Sequence, residues 1–140
     1  MLKLIAGKKG SGKTKRMIAM VNDAVDTSNG KIVCIEKGTK LTFDINHNAR
    51  LLNTDDYSVS SYDSFYGFIA GIAASDFDVK EIYIDSIGNI VGDNFSEIST
   101  LFEKLDSISN KSNLSIYILI SHDKTELPES IAKFVSINLV

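Results

Sequence analysis

The chain has 140 residues, 44% of them apolar, and carries 15 lysines and arginines against 18 aspartates and glutamates, a formal charge of −3. That length suits one compact domain spanning 1-140, and the acidic balance excludes a binder that relies on a broadly basic surface for nucleic acid. The single cysteine, Cys34, excludes a disulfide framework and a cysteine-rich zinc site, and no apolar stretch approaches the ~20 residues that span a bilayer, so a cytoplasmic protein is expected.

The first element is the apolar run Leu2 to Ala6, short enough for a buried strand and too short for the core of a signal peptide. Gly7-Lys8-Lys9-Gly10-Ser11-Gly12-Lys13-Thr14 follows and fits the pattern G-x-x-x-x-G-K-[ST] at every fixed position. A helix then begins at about Lys13, with Met17, Ile18, Val21 and Val25 at helical spacing. Strand, glycine loop and helix together make an anion cradle. The glycines let backbone N–H groups close around phosphate oxygens, and the positive end of the helix points at the same place. Gly7 to Thr14, with the flanking Lys15, is therefore the expected triphosphate site. Lys13 is expected on the β- and γ-phosphates and the Thr14 hydroxyl on Mg²⁺. The cluster Lys8, Lys9, Lys13, Lys15 and Arg16 is better explained by polyphosphate than by nucleic acid, because its members flank this loop.

Further along, Ile32 to Ile35 reads as a second strand, closed by Glu36-Lys37-Gly38. Leu41, Phe43 and Ile45 alternate with polar residues, and Leu51-Leu52 follows the turn Asn46-His47-Asn48, which predicts a small hairpin or irregular excursion. His47 is expected at the surface and Cys34 in the core. A helix is predicted over Tyr62 to Ala74 with Ser61 as its N-cap, a strand over Glu81 to Asp85, and a longer helix over Phe95 to Ser109. Strand Ser115 to Ile120, a short helix near Pro128 to Lys133 and strand Val135 to Leu139 complete the chain.

Strands alternating with helices imply an α/β fold of three layers, α/β/α, around a mainly parallel sheet, for which five strands are expected. Ligands of such sheets lie beyond the carboxyl ends of the strands. The residues expected there are Glu36, Asp85 with Ser86, and Ser121 with His122 and Asp123.

Ile82-Tyr83-Ile84-Asp85 resembles the Walker B element of P-loop NTPases, in which the aspartate holds the Mg²⁺ shell beside the loop threonine. With both motifs in place, the chain resembles that superfamily over its whole length in element order. Within the superfamily it resembles the RecA-like and additional-strand ATPases, which implies ATP and Mg²⁺ as ligands and a RecA-like strand order. Asn110-Lys111-Ser112-Asn113 imitates the guanine motif of GTPases but ends in Asn and precedes its strand. Where the resembled ATPases carry a glutamate after the aspartate, this chain has Ser86, which implies slow or partner-dependent hydrolysis. RecA-type proteins take their base from the end of the second strand, which makes Glu36 the candidate general base here. The same resemblance makes Ser121 and His122 candidate γ-phosphate sensors.

Arginine is limited to Arg16 and Arg50, and no insertion is long enough for a kinase lid, so a small-molecule kinase is the second reading. A nucleotide-binding switch that signals through a protein partner or through self-association is the third. The chain also resembles the small stand-alone ATP-binding proteins of low-GC Gram-positive bacteria, some labelled twitching-motility ATPases. What that resemblance implies is triphosphate binding.

Overall fold

The strands run β1 (Leu2–Gly7), β2 (Lys31–Glu36), β3 (Arg50–Asn53), β4 (Val79–Ile84), β5 (Ser115–Ile120) and β6 (Val135–Leu139) in a computed structural model that describes all 140 residues. The helices are α1 (Lys13–Thr27), α2 (Tyr62–Ser75), α3 (Ile87–Val91), α4 (Phe95–Lys111) and α5 (Glu129–Ala132). The strands form one sheet in the order β3-β2-β4-β5-β1-β6, and every pairing is parallel. β5 thus lies between β1, which leads into the glycine loop, and β4, which leads to Asp85.

Alternate residues of the central strands feed two cores, which is why these strands read as unbroken apolar runs. Leu4, Ala6, Ile82, Ile84, Ile116, Ile118 and Ile120 pack with Phe65 and Ile69 of α2 and with Ile98, Leu101, Phe102 and Leu105 of α4. Ile5, Cys34, Tyr83 and Leu119 face the other way, onto Met17, Val21 and Ala24 of α1. The result is three layers, α/β/α. Helix α2 starts where Ser61 and Ser64 cap one another reciprocally, and α4 starts where Asn94 accepts the Glu97 N–H at 3.1 Å, so both polar starts are satisfied. No helix of the chain is long and apolar enough to cross a membrane.

Two expectations are corrected. The sheet has six strands rather than five, because Arg50–Asn53 is a strand of its own. Nor is the segment before it a hairpin. β3 pairs with β2 in parallel, with Cys34 opposite Leu51 and Glu36 opposite Asn53. The alternation of Leu41, Phe43 and Ile45 is not that of a strand: Phe43 is 99% exposed, whereas Leu41, Ile45 and Ala49 are buried. The buried spacing is four, and the Ile45 N–H donates to the Leu41 carbonyl at 3.1 Å, so residues 41–45 form a turn that covers the α1 side of the sheet.

Candidate functional site

All the strands end on one side, and the glycine loop leaves β1 there. Gly7 is buried, and its N–H donates to the His122 carbonyl at 2.9 Å, tying the loop to the end of β5. A Cβ on Gly7 would collide with Ser11 Oγ and lie 3.0 Å from the Leu139 carbonyl, so only glycine lets the loop fold over this strand. Gly10 and Gly12 have φ of 83° and 92°, in the left-handed region, and both face open space. Gly12 is also the N-cap of α1 and supplies no side-chain bond, so the first N–H groups of the helix stay free for an external acceptor.

Lys13 is buried, and its ammonium donates to the Lys8 carbonyl at 3.1 Å, folding back across the loop. Burial pulls its pKa below the ordinary lysine value, and the nearby charge of Asp85 pulls the other way. The Thr14 hydroxyl donates to Asp85 Oδ1 at 3.2 Å, and the Ser86 hydroxyl donates to the same oxygen at 3.1 Å. Ser86 holds φ at 49°, an unusual conformation for a side chain with a Cβ, in the turn from β4 into α3.

These residues border a cleft of about 580 Å³ lined by Lys9, Gly10, Gly12, Lys13, Thr14, Lys15, Lys40, Ser86, Asn89 and Ser121. None of the ten is apolar and none is acidic. Four lysines therefore face a space that only an anionic ligand would neutralise. Ser11 Oγ is buried beneath the loop without a hydrogen-bond partner, a polar atom the protein alone leaves unsatisfied. Thr14 and Asp85 offer two hard oxygen donors, as Mg²⁺ requires, and no cluster of three or more His, Cys, Asp or Glu competes to form an all-protein cage. The residues present thus fit a magnesium polyphosphate.

Not every expected residue reaches the cleft. Lys8 contributes its carbonyl to Lys13 while its side chain is exposed outside the lining. Glu36 is 3% exposed and lines a neighbouring polar cavity of about 330 Å³, together with Gly38, Thr39, Asn53 and Asp56. Its Oε2 accepts the Leu41 N–H at 3.0 Å. Burial raises its pKa above the ordinary glutamate value, the Leu41 N–H opposes that shift, and the charge of Asp85 adds to it. Ser121 lines the cleft, whereas His122 turns aside to pair with Asp93 at 2.7 Å, with Phe95 edge-on at 5.0 Å. Lys40, Ser86 and Asn89 line the cleft without having been expected as ligands. Ser86 had a signal in its place beside Asp85, but the other two had none beyond their polarity.

No protein-family model matches the chain, and no curated protein matches it. A solved structure, the ATPase domain of a RecA-like P-loop helicase, is similar over 85% of this chain at 13% identity, with a TM-score of 0.61. That likeness establishes the fold. The match covers 56% of the other structure, so this chain spans little more than half of it. The resemblance to small ATP-binding proteins rests on the two motifs alone.

Proposed function

We propose that the chain binds Mg-ATP and is a slow or partner-dependent ATPase of the RecA-like, additional-strand kind. The observation that carries this is the bond from Thr14 to Asp85 at the mouth of a lysine-lined cleft, which joins the two motifs at one point. The position of β5 between β1 and β4 supports the additional-strand branch. In this reading Lys13, Lys15 and the loop N–H groups bind the phosphates, and Thr14 and Asp85 hold Mg²⁺, which when bound neutralises phosphate charge. Ser121, on the cleft wall, senses the γ-phosphate. His122, held by Asp93, couples the end of β5 to the turn before α4.

Slow hydrolysis follows from the lining, because no carboxylate of the cleft is free to orient water. Glu36 acts as general base in this reading only when residues 38–41 move away from it, which makes hydrolysis conditional on a partner. Phosphoryl transfer to a small acceptor is the second reading, and the polar cavity beside Glu36 is the observation that favours it.

Steady-state phosphate release tests the proposal. The expected basal rate is on the order of 10⁻³ s⁻¹, the scale of a P-loop site without its activating group. Loss of that rate in Glu36→Gln supports Glu36 as base, and an unchanged rate removes it. Phosphate appearing on a small acceptor instead of in water replaces the ATPase reading with the kinase reading.

A further inference from the structure

We infer that Lys40 is a second γ-phosphate cation of this cleft, supplied from outside the glycine loop and held in place by Glu36. The inference rests on the triphosphate reading of the cleft and names a residue that neither motif contains. Lys40 is exposed, lies well beyond Lys13 in sequence and lines the same cleft as Lys13, Thr14 and Ser86.

Its backbone is clasped on both sides. The buried Glu36 carboxylate accepts the Leu41 N–H at 3.0 Å, and the Lys40 N–H also turns toward it. On the other side, Asn53 Oδ1 at the end of β3 accepts the Gly38 N–H at 2.8 Å, and Lys37 pairs with Asp55 at 2.6 Å. Gly38 makes the sharp exit from β2 at φ of 101°, a turn that places Lys40 back over the strand ends. Because β2 is the neighbour of β4 in register, with Ile35 opposite Ile84, this clasp stands next to the Asp85 end of the sheet. A cation there meets the terminal phosphate, beyond the reach of the diphosphate portion cradled by the loop. A buried carboxylate with backbone donors on it serves as a positioning residue, and what it positions is the lysine.

Calorimetric titration with Mg-ADP and with the magnesium complex of the non-hydrolysable β,γ-methylene analogue of ATP tests this. Lys40→Ala is expected to weaken the triphosphate analogue by about tenfold or more, the scale of a lost charge-assisted contact, and to leave ADP within about twofold. Glu36→Ala should show the same selective loss. Glu36→Gln, whose amide oxygen still accepts the Leu41 N–H, should recover most of it. Equal loss of both ligands in Lys40→Ala, no loss of either, or a Glu36→Gln variant as weak as Glu36→Ala overturns the inference. Retained ADP affinity separates each variant from misfolding. Failure of the wild type to bind either ligand would instead refute the triphosphate reading on which the inference rests.

Discussion

Thr14 and Asp85 lie 71 positions apart in sequence, yet the threonine hydroxyl donates to the aspartate at 3.2 Å. The contact forms because β1 and β4 end on the same side of a parallel sheet, with β5 as the spacer between them. A hydroxyl and a carboxylate held together at the start of a helix make half of a magnesium shell, the remainder of which phosphate and water would complete. Thr14→Val and Asp85→Asn are accordingly expected to weaken Mg-ATP by about tenfold or more while leaving metal-free nucleotide much less affected. Titrations in magnesium and in chelator measure this, and a variant that keeps the full magnesium dependence contradicts the assignment.

Lys13 is a cation kept in a buried place for the sake of a ligand. Burial depresses its pKa, so the ligand-free fold is stabler without that charge. Lys13→Met should raise the melting temperature of the ligand-free protein, by about 3 °C for each kcal/mol relieved in a chain of this size. A lower melting temperature would show that the bond to the Lys8 carbonyl outweighs the burial of the charge.

Glu36 makes a prediction about pH. Its folded pKa is raised, so the native state holds that proton more tightly than the unfolded chain, and stability falls as pH rises from the ordinary glutamate value through the raised one. Glu36→Gln removes this titration while keeping an acceptor for the Leu41 N–H. The variant should therefore gain thermal stability over wild type at neutral pH, and the gain should shrink below the ordinary glutamate pKa. A gain that is the same at both pH values would contradict the shift.

Cys34 sits inside β2 and faces α1, and burial pushes its thiol pKa up to about 12. Ellman's reagent should react with the native protein about a thousandfold or more slowly than with the unfolded chain, because the thiolate forms only on opening. Rapid labelling in buffer would mean that the α1 face of the sheet opens readily.

Much of this was legible in the sequence, for identifiable reasons. β1, β4 and β5 are buried on both faces, so their apolar runs stand out, and α2 and α4 carry both their stripes and their caps. The glycine loop is local in sequence, and Asp85 needs only a strand in front of it. β3 was not legible, because Arg50-Leu51-Leu52-Asn53 is a four-residue edge strand with only two apolar residues. The turn over 41–45 was misread because Phe43, wholly exposed, completed a false alternation. Lys40 was illegible for a further reason: its position depends on hydrogen bonds from Glu36 and Asn53, which are brought together only by the pairing of β2 with β3.

The central claim is that Gly7 to Thr14 holds a triphosphate. Titration of Mg-ATP into wild type and Lys13→Ala, with folding checked by circular dichroism, tests it most directly. The account predicts micromolar binding to wild type and a loss of about a hundredfold or more in the variant. Equal affinity of the two proteins for Mg-ATP would contradict it.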